Sequence, residues 1–179
     1  MNNFETVYLG GGCFWCVEAV FLNIDGVQKV TSGFMDGHLD NPTYRDVCTG
    51  FSGHNEVVEL VFDPEIVTFK NLLYVFFTSH DPTTLNRQGN DVGTQYRSGI
   101  YCTSAEQLTS SEDFIKGEAS EIWDNNIVTE VKPASKFFPA DAYHDNYYNN
   151  NKEQGYCLIV IEPKVRKVRE KFKHLLKNG

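Results

Sequence analysis

Three glycines followed by a cysteine, two aromatics and a second cysteine, Gly10-Gly11-Gly12-Cys13-Phe14-Trp15-Cys16, constrain this chain more than any other segment. They come straight after Thr6-Val7-Tyr8-Leu9, which reads as a short strand. Glycine permits the tight turn and close backbone approach needed where a strand hands over to a helix. Beyond the turn, Phe14, Val17, Phe21 and Ile24 recur at helical spacing and form one apolar stripe, which Gly26 stops. Cys13 therefore opens a predicted helix. Free amide N–H groups and partial positive charge at a helix start favour a thiolate and lower a thiol's pKa. A small buried core thiol fits the same position.

The remaining elements follow from periodicity and turn chemistry. Strands are predicted at Gln28–Phe34, Glu56–Phe62, Ser98–Thr103, Ile127–Val131 and Tyr156–Ile161. Helices are predicted at Phe69–Phe77, from Ser104 to about Trp123, and over Lys164–Lys177; Ser104-Ala105-Glu106-Gln107 has the form of a capping box. Two long polar loops, 36–55 and 80–97, have the length of functional or disordered segments. Residues 141–151 are aromatic and Asn-rich, poor as a strand and marginal as a helix. Strands and helices mix without strict alternation, which predicts an α+β two-layer sandwich rather than a doubly wound sheet. No repeat or linker interrupts residues 1–179, so one domain is expected, its C-terminal segment beginning at about 145.

Composition narrows the function. A net charge of −8 argues against a general phosphate or nucleic-acid partner. Seven of the sixteen basic residues fall between Lys164 and Lys177. Val165, Val168, Phe172, Leu175 and Leu176 form a stripe there, so a docked helix with a solvated basic face is expected, not a membrane surface. No apolar run approaches the roughly 18 residues of a membrane span, and Met1–Glu5 lacks a signal peptide's basic and apolar regions. Five cysteines at 13, 16, 48, 102 and 157 make an odd number without framework spacing, which points to a reducing cytoplasm. Neither a G-x-G-x-x-G after a strand nor a Walker loop is present, so nucleotide chemistry gains no support.

Cys13-x-x-Cys16 admits a zinc half-site, but no second pair stands at matching spacing. It also admits a thioredoxin-like dithiol. Phe14 and Trp15 at a helix start are costly surface unless they line a pocket, and an aromatic box suits a methyl group beside a polar atom; Phe14 also has the phase of a core residue. The loops supply polar partners: Tyr44 in Asn41-Pro42-Thr43-Tyr44, Glu56 after Gly53-His54-Asn55, and Asp91 and Tyr96 within Gly89–Tyr96. Each is a surface turn or capping group by default, and spacing alone does not gather them around Cys13.

Taken in order, these segments resemble the A-type peptide-methionine sulfoxide reductases. Gly12-Cys13-Phe14-Trp15 with Glu18 carries the resemblance, which continues through the loop motifs above, His80-Asp81-Pro82-Thr83, Arg87–Ser98, Phe138-Pro139-Ala140, Tyr143-His144 and Gly155-Tyr156-Cys157. The resemblance implies a mixed-sheet core of ferredoxin-like plait type. It implies reduction of methionine S-sulfoxide, free or in proteins, with Cys13 attacking the sulfoxide sulfur and Phe14 and Trp15 holding the S-methyl group. Glu56 would protonate the oxygen, helped by Tyr44 and Tyr96, with Asp91 orienting the network. A sulfoxide oxygen leaves poorly until protonated, and a carboxylic acid stays protonated near neutral pH only if burial raises its pKa, so Glu56 is expected in a partly dry pocket.

The product on Cys13 would be a sulfenic acid, which condenses with a second thiol. By resemblance Cys157, in a flexible C-terminal part, is the final resolving thiol, with Cys16 as alternative or relay. Thioredoxin, or dithiothreitol in the test tube, would complete the cycle. The resemblance implies no further cofactor, and a cytoplasmic monomer is expected. The sequence departs from the family pattern at Phe34, where a tyrosine is usual, at Met35-Asp36 in the following turn, and at Cys16, where many members have glycine. Many members also carry a cysteine after the position of Cys157, and none follows here. Cys48 has no expected role, and Cys102 is expected in the core. Two rivals need fewer of these residues: a general dithiol oxidoreductase using Cys13 and Cys16, and a non-catalytic peptide-binding module.

Overall fold

The computed structural model describes residues 3–124 and 126–178. The first half contains β1 (Glu5–Gly10), α1 (Phe14–Phe21), β2 (Val27–Met35), α2 (Tyr44–Cys48), β3 (Asn55–Phe62) and α3 (Phe69–Ser79). Then come β4 (Arg87–Gln88), β5 (Asp91–Val92), β6 (Gly99–Cys102), α4 (Ala105–Phe114), α5 (Ser120–Ile122), β7 (Glu130–Pro133), β8 (Phe138–Pro139), α6 (Tyr147–Asn150) and α7 (Glu162–Lys171). Six strands form one sheet in the order β7-β6-β1-β3-β2-β8, and β4 pairs with β5 in a separate hairpin. Every neighbouring pair in the large sheet is antiparallel except β6 and β7. The α+β expectation holds, with a mixed sheet.

Alternation along the strands sorts side chains onto two faces. Val7, Leu9, Val58, Leu60, Phe62 and Ile100 face the layer of α1, α3 and α7, where Phe21, Phe76 and Phe77 are fully buried. Each side chain of that size contributes roughly 2–3 kcal/mol on burial. The opposite face carries a smaller cluster of Met35, Val57 and Tyr101, with Tyr8 and Phe137 beside it. At its margin Arg97 bonds Asp36 at 3.0 Å and Glu130 at 2.7 Å and donates to the Gly53 carbonyl at 3.1 Å. One guanidinium thereby ties both long loops to the sheet.

The structure corrects the last predicted strand. Tyr156–Ile161 is helical: a π-turn at Cys157–Ile161 runs directly into α7. Ile159, Val160 and Ile161 suggest a strand by propensity, but burial follows a helix. Cys157, Ile161, Val165, Val168 and Phe172 point inward at spacings of three or four, whereas Leu158 and Ile159 stay exposed. Pro163 accounts for the π-turn, since it lacks the N–H that would bond the carbonyl four residues back and its ring crowds that carbonyl.

Boundaries also move elsewhere. α7 ends at Lys171, and a 3-10 turn at Lys173–Leu175 follows it; Val165 and Val168 pack inward, so the docked-helix expectation holds. β7 starts at Glu130 rather than Ile127, because the Val128 amide bonds the Pro82 carbonyl at 2.8 Å instead of a strand. Ser104 does cap α4, but Gln107 reaches Thr103 rather than closing the box on Ser104. A full capping box forms at Thr43 and Asp46, where it starts α2 at Tyr44.

Candidate active site

The site begins at Gly12. Its φ is +93°, and a Cβ there would lie 2.6 Å from the Gln88 side chain, so glycine alone fits. Gln88 is itself buried and clasps the backbone of Asp81 through bonds of 3.0 and 2.9 Å. That close packing sets Cys13 as the N-cap of α1, its carbonyl accepting from the Cys16 amide at 3.0 Å. The Cys13 thiol is 8% exposed, one helical turn from the thiol of Cys16, and the two influence each other's titration. All five cysteines are free thiols.

Glu56 arrives at the end of the first long loop, 36–55. His54 accepts from the Gly37 amide at 3.1 Å through Nδ1, and its Nε2 lies 2.7 Å from the Leu39 carbonyl. The Asn55 amide donates to the Arg97 carbonyl and the Tyr101 hydroxyl, each at 3.0 Å. With both neighbours held, Glu56 enters β3 almost fully buried, 1% exposed. Its carboxylate oxygen accepts the Phe14 amide at 3.3 Å, satisfying one of the free donors at the start of α1. Burial pushes the carboxyl up to about 8, the Phe14 bond opposes this, and Asp91 and Cys16 add to it. The expected dry acid is present.

The half-buried phenols of Tyr44 and Tyr96 both border Glu56 and Cys13 electrostatically. Burial first, then the Glu56 charge, raises both well above the usual phenol value, so each stays a proton donor. Tyr44 also bonds the thiol of Cys48 on the same helix. Asp91 accepts the Tyr156 hydroxyl at 2.7 Å, and that hydroxyl lies 3.7 Å from the Cys16 sulfur. Cys157 is fully buried in the π-turn; burial and then the charge of Cys16 raise its thiol. Cys102 is buried in β6, as expected, and Cys48 is exposed.

An aromatic wall completes the site. Phe14 is buried against Phe34 at 5.7 Å and stacks with Tyr44 at 6.1 Å, so Phe34 packs without needing a hydroxyl. Trp15 stacks on Tyr147 at 3.7 Å with the rings 5° apart, and its indole N–H donates to His144 Nδ1 at 3.0 Å. His144 is fully buried, and desolvation lowers its pKa, so it is a neutral acceptor. The Tyr147 amide donates to Glu18 at 3.2 Å; burial raises that carboxyl to about 7.

Sequence reasoning assigned no role to His144, Tyr147, Tyr156 or Glu18. They lie within or beside quoted motifs, but no periodicity marks them, because their hydrogen-bond contacts cross up to 140 positions.

One expectation reverses. Position at a helix start predicts a lowered thiol pKa for Cys13, yet burial drives it well above the ordinary value, with Cys16 and Glu56 adding to the rise. Cys16 is lowered to about 7, chiefly by the hydrogen bond from Cys13, with Lys164 and Tyr156 contributing against its own desolvation. The two shifts run in opposite directions, so Cys16 is the more acidic thiol of the pair. Desolvation outweighs the helix-terminus effect because Cys13 is enclosed by Phe14, Glu56 and the wall.

Among the described residues no group of three or more His, Cys, Asp and Glu side chains gathers as a metal site, and no helix is long and apolar enough to cross a membrane. A buried pair of thiols at a helix start, a buried carboxyl, two half-buried phenols and an aromatic wall thus gather in one place, a grouping that suits thiol-dependent redox chemistry. The family model described as peptide methionine sulfoxide reductase matches residues 5–176. A peptide methionine sulfoxide reductase of Acinetobacter baumannii is 57% identical over 174 residues, covering 97% of this chain and 99% of that one. Mxr1 of Saccharomyces cerevisiae in reduced form superposes with a TM-score of 0.80 at 33% identity, over 86% of this chain and 89% of that one. Mxr1 in complex with Trx2 superposes with a TM-score of 0.57 at 26% identity, over 80% and 84%. The chain belongs to the peptide methionine sulfoxide reductase family.

Proposed function

We propose that this chain reduces methionine S-sulfoxide, free and in proteins, by thiolate chemistry at Cys13 and is recycled by thioredoxin. The observation that carries the reading is the buried Glu56 carboxyl, which accepts from the amide next to Cys13 and which burial pushes up to about 8. Cys13 passes its proton to the Cys16 thiolate as it attacks the sulfoxide sulfur. Glu56 protonates the sulfoxide oxygen, and the Tyr44 and Tyr96 hydroxyls hold that oxygen as negative charge develops on it. Asp91 acts through Tyr156, and the wall of Phe14 and Trp15 receives the S-methyl group. The methionine sulfur gains two electrons, the Cys13 sulfur loses two, and Cys13 is left as a sulfenic acid.

Cys16 then attacks Cys13, a disulfide forms and water leaves. Cys157 displaces Cys13 from Cys16, and thioredoxin reduces the resulting Cys16–Cys157 bond. The position of Cys16 one helical turn from Cys13, its influence on the Cys13 thiol and its effect on Cys157 support Cys16 as the relay. The Mxr1–Trx2 complex supports thioredoxin as the reductant. Five free thiols fit a reducing cytoplasm. The central strand order β6-β1-β3-β2, with α1 and α3 as connections, supports reading the core as a ferredoxin-like plait.

With dithiothreitol, purified protein should reduce the S-epimer of a blocked methionine sulfoxide and leave the R-epimer. Cys13→Ser should abolish the reaction; activity that survives it sinks the mechanism.

A further inference from the structure

Lys164 differs from the six other basic residues of the C-terminal segment. Those six are exposed, whereas Lys164 is half-buried on the inner side of α7. There it lines a narrow gap with Gly11, Cys16, Val17, Phe76 and His80, too tight to admit a water molecule. Arg166, on the same helix, has Glu162 at 4.0 Å. Lys164 has no carboxylate within ion-pair distance among the described residues.

A half-buried ammonium without an anion is costly, and a dry gap screens charge poorly. Two ionisable groups share the gap with it. His80 is fully enclosed, bonds the Phe76 carbonyl and Ser98, and is kept neutral by burial, its pKa lowered to about 4. Cys16 is the other.

Resting on the reading of Cys13 as nucleophile, we propose that Lys164 is a positioning residue: it is the counter-charge that holds Cys16 as a thiolate, making Cys16 the first thiol to attack oxidised Cys13. The other groups around Cys16 are Cys13 and Glu56 at the start of α1, Asp91 on the hairpin, Tyr156 and Cys157 on the C-terminal helix, and His80 at the end of α3. Lys164 is the one cation in that set. In the resolving step the Cys16 thiolate attacks the sulfur of the Cys13 sulfenic acid. The S–S bond forms, the S–O bond breaks, and hydroxide leaves as water with one proton from solvent. The oxidant is the sulfenic acid that sulfoxide reduction itself supplies.

The test titrates the reduced full-length chain by the ultraviolet absorbance of its thiolates, without sulfoxide. Wild type should show a step near pH 7 that Cys16→Ser removes. Lys164→Met should move that step up by about one pH unit, and Lys164→Arg should leave it in place. Mass mapping of the Cys13–Cys16 disulfide after one equivalent of sulfoxide should show about fivefold slower formation at pH 7 in Lys164→Met, recovering as the pH is raised. A step unmoved in Lys164→Met, or one that survives Cys16→Ser, overturns the proposal. Failure of the nucleophile reading shows separately, as methionine release that persists in Cys13→Ser, because the absorbance titration involves no substrate.

Discussion

The two helices that meet at the site are built in opposite ways. The start of α1 is over-determined: Gly12 fits only as glycine against Gln88, the Phe14 amide is bonded to Glu56, and Trp15 is held by both a ring stack and a hydrogen bond. The C-terminal helix around Cys157 is held lightly. Ile159 is 77% exposed, the π-turn interrupts regular bonding, and the buried stripe has one residue per turn. The reaction proposed at Cys13 needs fixed geometry for its proton donor, whereas the proposed recycling needs a thiol that can reach a neighbour and then a partner protein. Side-chain contacts are dense at the start of α1 and sparser along the segment that carries Cys157.

Replacing Glu56 tests the rigid side most severely. Glu56→Gln keeps the shape and removes the proton, so turnover should fall about 100- to 10,000-fold in single-turnover methionine release. Its stability should move the other way. The folded carboxyl titrates at about 8 against an ordinary value of 4.5, so the wild type is most stable below 4.5 and loses stability as pH rises through 8. The glutamine variant lacks that loss. It should exceed wild type by roughly 4 kcal/mol at pH 8 and lose this advantage near pH 4, as read by urea unfolding. A parallel pH dependence in both proteins would place the carboxyl in a wetter site than described.

Gly12→Ala should cost roughly 2–4 kcal/mol, because it adds left-handed backbone strain to a clash with Gln88. Thermal unfolding reads this, and a loss under 1 kcal/mol would show that the turn yields. Trp15→Phe keeps an aromatic ring but leaves His144 Nδ1 unpaired, so KM for a sulfoxide peptide should rise about tenfold with little change in kcat. The smallest effect belongs to the loose side. Pro163→Ala restores a helix donor and should raise stability by under about 1 kcal/mol. Slower hydrogen exchange over 157–161 should accompany it, and unchanged exchange there would separate the π-turn from Pro163.

Legibility in the sequence followed the range of the interactions. The strands at β1, β2, β3 and β6 and the helices α1 and α3 came from local periodicity, which is set by which face of a segment meets the core. The helix at 156–161 was misread because three consecutive β-branched residues carry a strand propensity, and only its packing against α1 decides that Cys157 and Ile161 are buried while the apolar Leu158 and Ile159 stay exposed. The family resemblance assigned Glu56 as the acid, and the chemistry a sulfoxide oxygen demands added the expectation that it is dry. His144, Tyr147 and Tyr156 were quoted without roles, since an aromatic in an Asn-rich segment gives no sign of what it stacks on.

The glycine turn and the thiol at a helix start were determined by the sequence alone, because steric freedom at Gly12 and apolar spacing over 14–24 act within a few residues. Which of the two thiols carries the charge was decided only by the tertiary structure. Enclosure of Cys13 raises its pKa, while Cys13 itself, Lys164 and Tyr156, the last two brought from about 140 positions away, lower that of Cys16. Desolvation and long-range Coulomb forces depend on what surrounds a group in space, which a linear order of residues does not specify.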